Sequence, residues 1–167
     1  MGIYNNQVVY IPPFTYDSVA YGGFIVQKYA SSQPGATAYD DNPDVADGAA
    51  VGAVPCLSQP GVSPWREITF LEARKACANL GTGWHLISAY EWASLAYFAL
   101  KYGTQPHGPN ANTDPPADAT YTTELGLLDQ ALHARSATYH SALTGTGPVT
   151  WSVNGRASGV YDLNGVL

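Results

Sequence analysis

The chain is 167 residues long, a length that suits one domain able to bury roughly 70% of its extended surface and to form a core without metal or disulfide support. Its net charge is −6, and its seven lysines and arginines form no basic stripe, which argues against nucleic acid as a partner. No apolar run approaches the roughly 20 residues that span a bilayer, which argues against membrane insertion.

The first residues, Met-Gly-Ile-Tyr-Asn-Asn, lack the basic start and apolar centre of a secretory signal. A protein of this kind that acts outside a cell would leave it by another route, such as assembly into a virion in the cytoplasm, or would carry a signal that has been removed. The 17 glycines and 12 prolines predict a loop-rich molecule with short regular elements.

The N-terminal region is predicted to be strand-rich. Residues 1–39 alternate aromatic and aliphatic positions around tight-turn residues, which predicts two or three strands. Residues 40–67 follow as a long loop rich in Asp, Ala, Gly and Pro. The carboxylates between Asp40 and Asp47 suit either a solvated acidic loop or a calcium site. Their spacing lacks the glycine and terminal glutamate of an EF-hand loop, so the solvated loop is the preferred interpretation.

A capping box marks the start of the first predicted helix. Thr69 precedes an apolar series at helical spacing, and Glu72 stands three positions later, so the pair satisfies two free backbone N–H groups. The glycines that follow Leu80 end the pattern. The helix is therefore predicted from about Thr69 to Leu80, with an apolar face of Phe70, Ala73, Cys77 and Leu80.

A second capping box, Ser88 with Glu91, predicts a helix from about Ser88 to Tyr102. Its predicted apolar face consists of Trp92, Leu95, Ala96, Ala99 and Leu100. Between the two helices, residues 84–87 are too few for a helix and are predicted to form an extended connector pressed into the core.

The last part of the chain begins with a long polar loop over residues 103–123, which is typical of a functional or a disordered segment. Residues 124–133 then predict a short third helix despite Gly126. Apolar residues beyond it predict closing strands: Trp151, Val153, Val160, Tyr161 and Leu163.

Several segments of this sequence carry a family resemblance. Residues 76–81 read Ala-Cys-Ala-Asn-Leu-Gly, residues 83–86 read Gly-Trp-His-Leu, and Glu91-Trp92 begins the second helix. In this order they resemble the formylglycine-generating-enzyme/sulfatase-modifying domain, whose usual motif is Arg-Leu-Pro-Thr-x-x-Glu-Trp. The first half of that motif differs, since His85 and Ile87 stand where arginine and proline are usual.

Three further segments are similar to phage-encoded members of the family, including variable proteins diversified by retroelements: residues 23–29, 32–34 and 103–108. Residues 143–152 and 159–165 resemble the stretch that leads into the family's Gly-Asn-Val-Trp-Glu-Trp strand. The resemblance implies an α+β, C-type-lectin-like fold in which two main helices pack on short antiparallel strands. It is expected to occupy residues 1–167 as a single domain.

The resemblance also has a gap. Family members continue past the position of Leu167 into Asn-Val-Trp-Glu-Trp and a further part, which holds the copper-binding cysteine pair of the enzymes or the variable residues of the diversified proteins. The domain is therefore expected to lack the family's C-terminal strands, and neither inherited function has its key residues here.

The two cysteines allow two interpretations. Cys77 lies on the apolar face of the first helix and Cys56 in the loop before it, so either they form a disulfide or they are small buried thiols, which is the preferred interpretation. No activating partner is identifiable for a nucleophilic role.

No catalytic or metal-binding pattern is present among the candidates. The four histidines, which are His85, His107, His133 and His140, form no zinc-type spacing. No serine lies in a Gly-x-Ser-x-Gly elbow. We therefore expect no catalytic residues, no metal and no cofactor, and His85 is interpreted as a core or rim residue beside Trp84.

Tyrosines supply the candidate binding site. The chain has twelve tyrosines against four phenylalanines, and a ring with a polar tip suits an interface. The predicted ligand-binding residues surround the long polar loop: Tyr97, Tyr102, His107, Tyr121 and Tyr139. The alternative interpretation is that these tyrosines are half-buried structural residues.

Taken with the resemblance, these features predict a non-catalytic binding or display module on a phage, virion or extracellular surface. Its partners would be a protein or glycan on a cell surface, or other subunits of a viral assembly, with homo-oligomerisation left open. One alternative is a structural decoration subunit of a virion or filament. The other is an oxidase of the formylglycine-generating type.

Overall fold

The computed structural model describes residues 6–39, 54–107, 124–135, 137–138 and 141–164. Within these ranges the fold is mixed α+β, with three helices and short antiparallel strand pairs. The strands are β1 (Val8–Ile11), β2 (Phe14–Tyr16), β3 (Val19–Tyr21), β4 (Phe24–Gln27), β5 (Ser31–Ser32) and β6 (Leu57–Ser58). The helices are α1 (Phe70–Ala78), α2 (Ala89–Tyr102) and α3 (Gln130–Arg135), followed by a 3-10 turn at Val149–Trp151.

The first four strands form one hairpin nested inside another strand pair. β1 pairs with β4, from Val8 opposite Gln27 to Ile11 opposite Phe24, and β2 pairs with β3 between them. The two-residue turn of the inner hairpin, Asp17 and Ser18, has positive φ at both positions, which matches the twist of the flanking strands. With β5, the described residues 6–39 contain five short strands, where the sequence predicted two or three over residues 1–39.

The β5–β6 pair corrects the prediction of a continuous loop over residues 40–67. Ser31 pairs with Ser58 and Ser32 with Leu57, so a strand lies inside that region. Serine carries little sequence signal for a strand, and this pair is defined by contacts between distant segments. The acidic residues from Asp40 to Asp47 lie outside the described residues.

Both capping boxes are confirmed. The Thr69 and Ser88 side chains cap α1 and α2, and each N3 glutamate returns a hydrogen bond to the cap backbone. The predicted apolar faces need correction, however. Phe70 is 69% exposed, and Trp92 and Leu100 are 44% and 40% exposed. The predicted residues Cys77, Leu95 and Ala99 are buried, and the buried faces also include Ala76 in α1 and Ser94 and Phe98 in α2.

The main core lies between α2 and the first four strands, and two C-terminal valines complete it. Its buried members are Ile11, Phe14, Tyr21, Leu95, Phe98, Ala99, Val153 and Val160. The connector predicted to press into the core does so only in part. Leu86 packs beside the buried Cys56, Ala76 and Cys77, whereas His85 and Ile87 are exposed.

The third helix begins at Gln130, so the prediction of a helix from residue 124 is wrong at its start. Leu127 donates its N–H to Thr146 Oγ1 (2.9 Å) and accepts from the Leu143 N–H (2.7 Å), so its backbone is already committed to a distant segment. A Cβ on Gly126 would meet the Ala142 Cβ at 2.5 Å. Close packing against residues 142–146 therefore determines where the helix starts.

The predicted closing strands are also wrong. Trp151, Val153, Val160 and Tyr161 are all buried, but the described C-terminal residues form the 3-10 turn and irregular backbone. The Ser152 hydroxyl donates to the Arg156 carbonyl (2.8 Å) and accepts from the Arg156 N–H (3.0 Å). A side chain thus supplies hydrogen bonds that a strand partner would otherwise make.

Candidate functional site

Tyr97 and Tyr102 both lie on α2, the longest helix of the described chain. Their rings are 37% and 53% exposed. The helix is fixed at its start by the Ser88–Glu91 box and at its end by Gly103, which adopts a left-handed conformation. Two of the predicted binding residues are therefore held on a rigid element. Two others, Tyr121 and Tyr139, lie outside the described residues.

Tyr97 belongs to a group of four rings, the tyrosine cluster, formed by Tyr16, Tyr21, Tyr90 and Tyr97. Tyr21 lies at its centre, with ring centroids 5.4 Å from Tyr97 and 6.1 Å from Tyr90. Tyr16 stacks on Tyr97 at 5.5 Å. Because Tyr90 and Tyr97 are two helical turns apart, they share the side of α2 that faces the β2–β3 hairpin.

The cluster combines a buried base with exposed rings. Tyr21 is 9% exposed and stacks on buried Phe14 at 4.9 Å, whereas Tyr90 is 60% exposed. Stacking already restricts the rings, so these side chains lose little further conformational entropy when a ligand covers them. Burial, followed by the neighbouring Tyr97 and Tyr90, raises the pKa of Tyr21.

A second set of rings extends this surface towards the end of α2. Phe98 lies 5.4 Å from Phe14 and 4.8 Å from Tyr102 between ring centroids. The Lys101 ammonium lies 5.8 Å from the Phe14 centroid and 5.5 Å from the Tyr102 centroid. We call these rings, together with the tyrosine cluster and Lys101, the aromatic surface. It presents phenol hydroxyls and one cation beside apolar area.

His107 has well-defined partners where the chain leaves α2. Its Nδ1 lies 3.1 Å from Glu124 Oε1, and its N–H donates to the Thr150 carbonyl at 3.1 Å. Its carbonyl accepts from Asn164 Nδ2 at 2.6 Å. These bonds tie residue 107 to the C-terminal segment, so its clearest role in the structure is to anchor the backbone.

Tyr16, Tyr21 and Tyr90 were not among the binding residues predicted from the sequence. The seven-residue spacing of Tyr90 and Tyr97 on a helix whose start was fixed by a capping box could have identified that pair. Tyr16 and Tyr21 could be assigned to the site only after the β2–β3 hairpin was known to pack on α2.

An open groove of about 440 Å³ lies on another part of the chain, between α1 and the connector. Phe70, Arg74, Trp84 and Ile87 are among its lining residues. His85 also lines it and is exposed, with Nδ1 2.7 Å from the Leu86 carbonyl and Nε2 3.5 Å from Glu91 Oε1. His85 was interpreted as a core or rim residue, and its exposure rules out the core position.

Among the described residues, no group of three or more His, Cys, Asp or Glu side chains could hold a metal ion. No helix in the described ranges is long and apolar enough to cross a membrane. Of the four histidines, His140 lies outside the described part of the chain.

No protein-family model matches the sequence, and no curated protein matches it. What can be said of function therefore comes from the chain's own residues and geometry.

Proposed function

We propose that the chain is a non-catalytic binding module that recognises a protein or glycan on a cell surface through its aromatic surface. The observation that carries this proposal is the tyrosine cluster, in which exposed rings rest on a buried ring instead of projecting singly into solvent. Tyrosine-rich, pre-ordered surfaces are typical of interfaces, because they bury much area at a low entropic cost.

The proposed setting is the surface of a phage or another virion, on a C-type-lectin-like fold. Support for the fold comes from the two capped helices and from Glu91-Trp92, which the family motif shares. The antiparallel strand pairs beside α2 are compatible with it. An experimental structure of the full-length chain tests this assignment through the connectivity of its C-terminal part.

Binding is tested with a fluorescent form of the chain on arrays of immobilised glycans and on intact bacterial cells. The Tyr90→Ala, Tyr97→Ala double variant should bind at least roughly tenfold more weakly, since aromatic anchors carry much of an interface's energy. Tyr10→Ala, Tyr39→Ala is a matched control, because those rings are 61% and 76% exposed and lie outside the cluster. Equal binding by both double variants would remove the aromatic surface from the proposal.

The same double variant separates recognition from a purely structural role in an assembled particle. Particles that carry the Tyr90→Ala, Tyr97→Ala chain should assemble normally but should no longer adsorb to cells. Normal adsorption would favour a decoration subunit instead. Copper binding together with oxidation of a peptide cysteine by the full-length chain would favour the oxidase and overturn the non-catalytic proposal.

A further inference from the structure

The two cysteines lie together in a small buried cluster away from the aromatic surface. Cys56 immediately precedes β6, and Cys77 lies in the last turn of α1. They are 3% and 8% exposed, and their Sγ atoms are 3.6 Å apart. Ala76, Trp65, Leu80 and Leu86 pack around them.

The backbones on either side of the two thiols are already joined. The Cys56 N–H donates to the Ala76 carbonyl at 3.3 Å, one residue before Cys77. Asn79 Nδ2 donates to the Val54 carbonyl at 3.5 Å. A disulfide has an S–S distance of about 2.05 Å, so bond formation requires the sulfur atoms to approach by side-chain rotation while the chain segments stay where they are.

The two thiols are electrostatically unequal. The hydrogen bond between them lowers the pKa of Cys56 to about 7, against the opposing effect of burial, and Ser31 and Gln27 contribute further hydrogen bonds. Gln27 Nε2 lies 3.8 Å from Cys56 Sγ. The hydrogen bond to Cys56 and burial raise the pKa of Cys77. These opposite directions of shift favour Cys56 over Cys77 as the attacking sulfur.

We propose that Cys56 and Cys77 form a redox-sensitive dithiol that closes to an intrachain disulfide when the protein meets a peroxide. The geometry carries this inference: two buried sulfur atoms in contact, on segments held together by backbone hydrogen bonds. A small uncharged oxidant suits a pair that is almost completely buried.

The reaction balances with hydrogen peroxide as the oxidant. The Cys56 thiolate attacks one peroxide oxygen and the O–O bond breaks, which converts Cys56 to a sulfenic acid. The hydroxide that leaves takes up the proton that Cys56 released on ionising, which gives the first water. The Cys77 sulfur then attacks Cys56 Sγ, the S–O bond breaks, and the Cys77 proton leaves in a second water. Two thiols and one hydrogen peroxide thus give one disulfide and two water molecules, and the two electrons pass from sulfur to peroxide.

The bond would lock the C-terminal turn of α1 to the residue before β6. The two cysteines are 21 positions apart, so the crosslink restricts a sizeable loop of the unfolded chain. For a chain of this length, Tm should rise by roughly 6–12 °C on oxidation. This effect is independent of whether the aromatic surface binds a ligand.

The test is mild treatment of the full chain with hydrogen peroxide, followed by intact mass and non-reducing peptide mapping. We expect the loss of two hydrogen atoms, one linked peptide that contains both cysteines, and a higher Tm that dithiothreitol reverses. Cys77→Ala should show neither the loss of two hydrogen atoms nor a rise in Tm.

Addition of oxygen to the wild-type cysteines without a crosslink would overturn the proposal. So would unmodified thiols in a folded chain after prolonged treatment, or a crosslink between two molecules. The wild-type mass and peptide map decide the matter even if the Cys77→Ala variant fails to fold.

Discussion

Asp162 connects two separate backbone segments through one buried carboxylate. Its side chain accepts hydrogen bonds from the Ala30 N–H (3.1 Å) and from the Gly145 N–H (3.0 Å), and the residue is 2% exposed. Its φ of 62° lies in the left-handed region, which aspartate tolerates better than most residues. The two hydrogen bonds and the left-handed backbone conformation therefore both favour aspartate at this position.

Removal of the Asp162 carboxylate should destabilise the folded state. Asp162→Ala leaves two partly buried N–H groups without their acceptor, so the free energy of unfolding should fall by about 2–4 kcal/mol, as measured by urea denaturation. Asp17→Ala is the matched control, because Asp17 also has a positive φ, 47°, but is exposed. Equal losses in both variants would mean that backbone strain, and not the hydrogen bonds, explains the effect.

The same carboxyl predicts a pH dependence. Burial raises the pKa of Asp162 above 3.8, against the two backbone hydrogen bonds. A carboxyl with a raised pKa in the folded state favours folding when protonated, so its contribution is full below the unfolded pKa and is lost as pH rises through the folded pKa. Wild type should therefore gain stability relative to Asp162→Asn as pH falls from neutral towards 4, measured by urea denaturation across that range. A gain by the variant would show that the hydrogen bonds outweigh burial.

At the scale of elements, the ends of α2 determine where the aromatic surface lies. Ser88 Oγ accepts from the Glu91 N–H at 3.2 Å, and Glu91 Oε2 accepts from the Ser88 N–H at 2.8 Å. At the other end, Gly103 has a φ of 64°. The helix between these caps carries Tyr90 and Tyr97.

Gly103→Ala should therefore weaken the end of α2. A side chain at a φ of 64° is strained even though nothing lies within 4 Å of the added Cβ, so we expect a cost of about 1–2 kcal/mol in thermal or urea unfolding. Gly22→Ala is the control, since its Cβ would also meet nothing within 4 Å and its φ is not in the left-handed region. That variant should be neutral or slightly stabilising, and a matching loss there would contradict the explanation.

Local signals explain which elements the sequence could predict. A capping box involves residues three positions apart, so Thr69 and Ser88 identified both main helices and nearly all of their bounds. The start of α3 depends on the contact between Gly126 and Ala142, and the Tyr161 N–H bonds to the Lys28 carbonyl at 2.7 Å. Such contacts join residues that are distant in the sequence, so no local pattern predicts them.

The candidate binding site also has features that local sequence signals predict and features that depend on contacts between distant residues. Tyr97 could be assigned to a helix, because the Ser88–Glu91 capping box fixes the start of α2. Its stacking on Tyr16 and Tyr21 could not be predicted, because it depends on how the β2–β3 hairpin packs against α2. For Cys56 and Cys77 the sequence left a disulfide and buried thiols as alternatives, and both are buried free thiols in the structure. Their contact could not be predicted, since spacing alone does not place two segments side by side.

At the scale of the whole molecule, hydrogen bonds tie the C-terminal region to earlier segments. The Gly61 N–H donates to the Thr144 carbonyl at 2.7 Å, and the Gln130 N–H donates to the Ala38 carbonyl at 3.0 Å. Trp151 is completely buried in this region beside Ala142 and Tyr161. These connections imply that the described segments unfold together and not as separate units.

Gly147→Ala tests that cooperativity. A Cβ at Gly147 would overlap the Trp151 ring, so overpacking should lower the free energy of unfolding by about 1–3 kcal/mol. If unfolding is cooperative, hydrogen exchange should lose protection by the same factor in peptides that cover α2 and in peptides that cover residues 149–162, because one global opening exposes both. A loss confined to residues 149–162 would show that the C-terminal segment opens alone, and α2 with its aromatic surface would then be stable without the Trp151 cluster.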